Sequence, residues 1–133
     1  MKRSIIYLAV PYTHKDPYIK HQRFLTVTKV SAMILQQFRQ PNFSPISQSH
    51  YQAEIGGLKG TWDFWRLVDI EFLKRCDELW VLTLDGWDKS VGVLAEIAYA
   101  KRNGIPIKYL SFDGKALDIA ESVEELLSES VTI

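Results

Sequence analysis

Short apolar runs alternate along this chain with longer segments in which apolar residues recur every three or four positions. Continuous β-branched runs are typical of strands that are covered on both faces. Helical spacing of apolar residues is typical of helices that pack one face on a sheet. The pattern predicts strands at residues 4–10, 79–84 and 105–110 and a shorter, proline-interrupted strand at 42–46. It predicts helices at residues 18–37, 61–75, 90–103 and 121–127.

The alternation of strands and helices indicates the α/β class, with an open parallel sheet of four to five strands flanked by helices, as in Rossmann-like and flavodoxin-like folds. Ligands of such sheets bind beyond the carboxyl ends of the strands. We therefore expect the loops at residues 11–16, 47–60 and 85–92 to surround a common crevice. Residues 47–60 are predicted to form an irregular loop that is hinged by glycines. A loop this long in a compact domain is usually functional or mobile.

The composition excludes several classes of function. A length of 133 residues, 47% apolar residues and no formal net charge predict a single domain spanning residues 1–133, with neither a nucleic-acid polymer nor a membrane as its partner. The single cysteine, Cys76, excludes an internal disulfide and favours a cytoplasmic location. Three scattered histidines give no metal-ligand cluster, and dinucleotide and Walker motifs are absent, so we expect neither a metal nor a cofactor.

Two acidic residues lie where their own helices offer little to pair with. Glu96 is the only residue of Asp, Glu, Lys, Arg or His type between Ser90 and Ala100. Asp69 shares a predicted helix stripe with Trp65, Phe72 and Cys76, which we expect to be buried. An apolar stripe seldom holds an unpaired carboxylate. Each acid therefore either meets a partner or does chemistry in a pocket. For Asp69 the partner would be Arg66 on the same helix or a backbone amide.

The turn before the last long helix is a candidate anion site. Ser90 is placed to cap the helix, and its hydroxyl, the free amides and the helix dipole together favour a negative group. Gly92 would let a ligand approach the backbone closely. An ordinary capped turn explains the same residues equally well.

Aromatic and histidine residues in the predicted loops are candidates for ligand binding. A flat ring can stack on a base, although loop aromatics also serve as dimer contacts. A histidine can bind a phosphate or act as an acid or base. The aromatic candidates are Tyr12, Tyr51 and Trp87, and the histidine candidates are His14 and His50.

Four segments together resemble the nucleoside 2-deoxyribosyltransferase superfamily, and within it a branch of bacterial and phage domains of unknown function. The segments are residues 7–12, Asp69 with residues 76–82, residues 86–100, and residues 104–106. The resemblance implies an α/β fold and an N-glycosidase or deoxyribosyltransferase that acts on a nucleoside or nucleotide. It also implies a homodimer or a higher homo-oligomer.

The resemblance also assigns roles to residues. Glu96 is the implied nucleophile, which attacks the anomeric carbon and forms a covalent glycosyl ester, while Asp69 orients or protonates the substrate. Ser90 stands where the monophosphate-hydrolysing branch contacts the phosphate. A hydrogen bond from Tyr7 or Tyr12 would lower the pKa of Glu96, which apolar surroundings otherwise raise.

Two departures from the superfamily keep other functions open. Leu94 replaces a glycine usual in the related enzymes, and the first loop lacks the glycine and arginine of the monophosphate hydrolases. A non-catalytic nucleotide-binding or sensor domain is therefore an alternative. An enzyme that cleaves the nicotinamide bond of NAD is another, because a lone glutamate in an α/β crevice also suits that substrate.

Overall fold

The computed structural model describes residues 4–126, which form a five-stranded sheet with helices on both faces. The strands are β1 (Ile6–Ala9), β2 (Asn42–Phe43), β3 (Glu78–Leu82), β4 (Ile107–Phe112) and β5 (Leu117–Ala120). The helices are α1 (Pro17–Phe38), α2 (Pro45–Gly56), α3 (Trp62–Leu73) and α4 (Val91–Arg102), with a 3₁₀ turn at Trp87–Lys89. Of the last predicted helix, residues 123–126 are helical and residues 121–122 form a bend. Residue 127 and the tail after it lie outside the described residues.

The predicted α/β class is confirmed, and the sheet is mostly parallel. The strand order is β2-β1-β3-β4-β5, in which β1 pairs in parallel with both β2 and β3, and β3 pairs in parallel with β4. The edge strand β5 runs antiparallel to β4, with Phe112 opposite Leu117. That strand was not predicted. Asp113 and Gly114 between β4 and β5 are the signal that was available, because Asp-Gly is a frequent hairpin turn.

The sheet separates two apolar cores, and β1 contributes to both because side chains alternate along a strand. Ile6 and Leu8 face α1, where they pack with Val27, Val30 and Ile34. On the other face, β1 and β3 pack against α3 and α4. The residues of that second core include Tyr7, Ala9, Leu73, Val81, Val93 and Ile97. Tyr7 therefore lies in the layer that also contains α4, although it is a polar residue.

The prediction of an irregular loop at residues 47–60 is wrong, because helix α2 occupies Pro45–Gly56. Pro45 stands at the first helical position, where its fixed φ favours a helix start, so the predicted strand 42–46 also ends early. Gly57 ends the helix with a positive φ of 66°. The buried residues of α2 are Pro45 and His50, so the apolar periodicity is weak in the sequence.

The other predicted boundaries differ by a few residues. Strand β4 runs over Ile107–Phe112 rather than 105–110. The predicted cap of α4 is confirmed, since the Ser90 hydroxyl accepts a hydrogen bond from the Val93 amide. Thr61 precedes α3 with an extended backbone, but its side chain makes no capping bond. Among residues 4–126, the helices are too short or too polar to cross a membrane.

Candidate active site

A cavity of about 540 Å³ lies beyond the carboxyl ends of β1 and β3. Its floor includes the end of β1 and the first turns of α4, and its walls come from the first loop, α2 and α3. This is the position that the parallel sheet predicts for a ligand site. The volume falls in the range of pockets that hold small molecules and cofactors.

Glu96 lies at the bottom of this cavity, on the face of α4 that packs against the sheet. The side chain is only 5% exposed. The hydroxyl of the fully buried Tyr7, on β1, donates a hydrogen bond to Glu96 Oε2. Burial raises the pKa of Glu96 to about 8, against the lowering effect of this bond and with a further increase from the charge of Asp69. The hydrogen bond from Tyr7 therefore stabilises the anion of Glu96, although burial favours the neutral carboxyl group.

Asp69 lines the same cavity from α3 and is half-buried. Burial raises its pKa to about 6. The ion pairs and hydrogen bonds of residues 4–126 do not include Asp69, so the proposed pairing with Arg66 or a backbone amide is not observed in that part of the chain. Asp69 thus faces open space in which a ligand could be its partner.

The helix stripe that carries Asp69 is not the buried face that the sequence analysis expected. Phe72 is 40% exposed, and Trp65 and Cys76 are half-buried. The fully buried residue of α3 is Leu73, one position further along. The stripe is apolar because part of it lines a cavity, and a periodicity argument does not distinguish a cavity wall from a core.

The turn before α4 contributes Ser90 and Gly92 to the cavity lining. Ser90 retains a hydroxyl proton for a ligand, because its oxygen accepts from the Val93 amide. Gly92 also lies against a tryptophan ring of α3. A Cβ atom at this position would lie 3.3 Å from Cε3 of Trp62, so the absence of a side chain accommodates the indole ring.

Tyr12 forms part of the cavity wall, and His50 lies behind it. His50 is 1% exposed and does not line the cavity, but its Nδ1 atom lies 2.5 Å from the Tyr12 hydroxyl. Its ring stacks on Phe24 at 4.0 Å between centroids. His50 therefore has no surface in the cavity itself and contacts residues that do, Tyr12 among them.

Tyr7 and His50 contact residues that line the cavity without lining it themselves, and three further candidate residues also lie outside the lining. His14 accepts a hydrogen bond from the Asp16 amide at the start of α1. Tyr51 lies on the outer side of α2, half-exposed, and packs edge-on against His50. Trp87 packs against Tyr109 in the second core. The structure thus brings together Glu96, Asp69, Tyr7, Tyr12, Ser90 and Gly92.

Sequence reasoning missed several residues that line the cavity. The two tryptophans of α3, Trp62 and Trp65, both do so. Their spacing from Asp69, at seven and four positions, places all three on one helix face, and this signal was available. Lys20 and Lys89 also line the cavity, but they come from segments whose approach the sequence does not reveal.

Leu94 does not narrow the cavity. Its side chain is 44% exposed and is not among the lining residues. The expectation that Leu94 affects the site is therefore not supported by its position, since the side chain does not enter the space above Glu96. Among the described residues, no group of three or more His, Cys, Asp or Glu side chains is placed to hold a metal ion.

Residues 4–111 match the model of a family described as domain of unknown function (DUF1937). The chain belongs to this family. No curated protein matches its sequence. Among solved structures, it is similar to a 2-deoxyribosyltransferase from Bacillus psychrosaccharolyticus, with 21% sequence identity and a TM-score of 0.55 over 86% of this chain and 77% of the other. This likeness shows that the chain has the fold of the nucleoside 2-deoxyribosyltransferases.

Proposed function

We propose that this protein cleaves or transfers the N-glycosidic bond of a nucleoside or nucleotide, with Glu96 as nucleophile and Asp69 as proton donor. The observation that carries the proposal is the pair itself. Both acids line one cavity, and the pKa of each is raised. Carboxyl pairs with perturbed pKa values in a cleft are typical of catalytic sites.

The proposed reaction is a double displacement. A carboxylate oxygen of Glu96 forms a bond to the anomeric carbon, the bond from that carbon to the base nitrogen breaks, and the electron pair leaves with the base. Asp69 gives its proton to the departing nitrogen. Water or a second base then attacks the anomeric carbon, its proton returns to Asp69, and the ester bond to Glu96 breaks.

The resting site must redistribute its protons before the first step. Burial keeps Glu96 protonated near neutral pH, whereas Asp69 is mostly ionised. The two carboxyl groups are coupled and titrate as a unit, so near neutral pH they share one proton. One shared proton is the protonation state that the reaction needs. A ligand that covers Asp69 would raise its pKa on binding. The positive charge that develops on the sugar in the transition state would then stabilise the anion of Glu96.

The other lining residues suit a nucleotide. Ser90 and the free amides at the start of α4 would hold a phosphate, and Lys20 and Lys89 add positive charge to the same cavity. Flat rings for stacking on a base are offered by Tyr12 and by the two tryptophans of α3. A phosphorylated substrate is therefore the more specific proposal.

The first experiment measures release of free base from deoxynucleoside monophosphates by chromatography. We expect turnover by the wild type and a loss of at least a thousandfold in Glu96→Gln, while Glu71→Gln, which alters an exposed ion pair on α3, retains activity. A 2-fluoro sugar analogue should leave a glycosyl adduct on the peptide that contains Glu96, visible by mass spectrometry. Turnover that survives Glu96→Gln would exclude the nucleophile role.

The second experiment tests Asp69 through the leaving group. Asp69→Asn should strongly slow the release of a natural base, which needs a proton as it departs. It should have little effect on an activated glycoside whose phenolate needs no proton. Equal losses on both substrates would show that Asp69 does not act as the proton donor.

A second candidate function is a non-catalytic nucleotide-binding module. The observation in its favour is the raised pKa of Glu96, which leaves the carboxyl neutral and hydrogen-bonded at rest. Such a module would show a thermal shift with deoxynucleoside monophosphates but no base release and no adduct.

A homo-oligomer in the cytoplasm is a further part of the proposal. Exposed apolar side chains of α2 and α3 support association, among them Ile55, which is 86% exposed, and Leu67. Sedimentation equilibrium should give a mass above that of one chain. A monomer at all concentrations would contradict this part alone.

A further inference from the structure

A chain of three polar residues lies behind one wall of the cavity. His50 is enclosed between the first loop and helices α1 and α2, with its ring stacked on Phe24. Its Nδ1 atom is 2.5 Å from the Tyr12 hydroxyl, and its Nε2 atom is 3.3 Å from the Glu54 carboxylate. Tyr12 and Glu54 both line the cavity, whereas His50 does not. A buried histidine thus connects two groups that a ligand can touch.

The Glu54 carboxylate determines which nitrogen of a neutral His50 carries the proton. A proton on Nε2 faces the negative carboxylate, whereas a lone pair on Nε2 would repel it. The contact is electrostatic, since its geometry is not that of an aligned hydrogen bond. With the proton on Nε2, Nδ1 carries a lone pair and can only accept. The Tyr12 hydroxyl must then donate to Nδ1, and its oxygen lone pairs remain for the cavity.

The charges around His50 favour this neutral form. Burial lowers its pKa, and His21 and Lys20 on α1 lower it further, while Glu54 on α2 opposes them. The Phe24 and Tyr51 rings that pack on it carry no charge. Tyr12 also stays neutral, because burial and Glu54 raise the pKa of its hydroxyl. The direction in which the Tyr12 hydroxyl donates is therefore determined by the neutral His50, which lies behind the cavity wall.

We infer that His50 is a positioning residue that makes Tyr12 a hydrogen-bond acceptor toward the cavity, so that the site prefers a base with an exocyclic amino group. Adenine and cytosine present such a donor, whereas hypoxanthine and uracil present a carbonyl oxygen at the same place. An oxygen facing another acceptor would leave both unpaired, and this is how a polar site rejects an isosteric ligand. The inference rests on the proposed function for the class of ligand.

The experiment compares the 5′-monophosphates of 2′-deoxyadenosine and 2′-deoxyinosine, which differ in the group at C6 and in the proton that hypoxanthine carries on the neighbouring N1. Binding is measured by calorimetry in the Glu96→Gln background, where turnover is blocked. We expect the adenine ligand to bind about tenfold more tightly, as one gained or lost hydrogen bond implies. Tyr12→Phe, which keeps the ring, should abolish the difference.

His50→Phe keeps the stacking on Phe24 but removes the acceptor, so the Tyr12 hydroxyl is free to donate and the preference should shift toward the hypoxanthine ligand. Tyr51→Phe is the matched control, because it removes a hydroxyl from another ring that packs on His50 and should leave the wild-type preference intact. If His50→Phe does not fold, Glu54→Gln replaces it. That variant removes the charge that selects the tautomer and should reduce the preference.

Nitrogen-15 NMR of the histidine rings gives a readout that does not depend on any ligand. We expect the neutral Nε2–H form of His50 in the wild type and a mixture of the two neutral forms in Glu54→Gln. A protonated Nδ1 in the wild type, or equal affinity for the two nucleotides, would overturn the inference and leave the glycosidic proposal standing. Binding of neither nucleotide would refute the proposed function and this inference with it.

Discussion

Replacing the carboxyl group of Glu96 should remove most of the loss of stability that rising pH causes. Glu96 has a raised pKa in the folded protein, about 8 against an ordinary value of 4.5. Below pH 4.5 the group is protonated in both the folded and the unfolded chain, and it has no cost. As pH rises, the unfolded chain releases the proton first, so the free energy of unfolding falls until pH passes about 8.

The size of the effect follows from the shift. At about 1.4 kcal/mol for each tenfold change in affinity for the proton, the burial of this carboxyl group costs roughly 4 kcal/mol at pH 9 relative to pH 5. More than half of that cost is already present at pH 7. Asp69, whose pKa rises to about 6, adds a smaller loss of the same sign. Both are large fractions of the stability of a typical domain.

The assay is unfolding in urea at pH 5, 7 and 9, with the wild type, Glu96→Gln and Glu71→Gln compared. Glutamine at position 96 keeps an oxygen that can accept from Tyr7 and has no proton to lose. We therefore expect Glu96→Gln to gain stability relative to the wild type as pH rises, by a few kcal/mol at pH 9. Glu71 is exposed and ionised across this range, so Glu71→Gln should follow the wild-type profile. Parallel profiles for all three proteins would refute the argument that burial keeps Glu96 neutral.

Three further changes test the surroundings of the two acids. Tyr7→Phe removes the hydrogen bond that lowers the pKa of Glu96, so the alkaline limb of the profile of base release against pH, where the pair loses its last proton, should move to higher pH. An unmoved alkaline limb would show that the bond does not affect the Glu96 anion. Gly92→Ala places a methyl group 3.3 Å from the Trp62 ring, so we expect the free energy of unfolding in urea to fall by about 1 kcal/mol and the tryptophan emission spectrum to change. An unchanged spectrum would contradict this contact. Ser90→Ala removes the side-chain cap of α4 and should lower the free energy of unfolding by about 1 kcal/mol, whereas Ser90→Asp, which can also cap, should restore it. Equal losses in the two variants would count against the cap.

The sequence by itself determined the order and type of most elements. Continuous apolar runs such as residues 79–84 can be buried only between two helical layers, and the Ser90 cap is a local interaction within one turn. Glu96 could be singled out for the same reason, since its own helix offers no cation within reach. These features depend on residues that are neighbours along the chain, and local spacing is sufficient to predict them.

Helix α2 and the environment of Asp69 depend on contacts that are distant along the chain. His50 is buried because Phe24 of α1 stacks on it, and no periodicity of apolar residues within α2 reveals this. Asp69 lies on a stripe that looks like a core face but lines a cavity.

The meeting of Tyr7 with Glu96, 89 positions apart, was only one of two pairings that the sequence left open. The parallel pairing of β1 with β3 and the packing of α4 on that face decided it. Only the tertiary structure places the two acids in one cavity. Because a pKa depends on burial and on the charges nearby in space, it is also the tertiary structure that raises the pKa values of both acids above those of ordinary surface carboxylates.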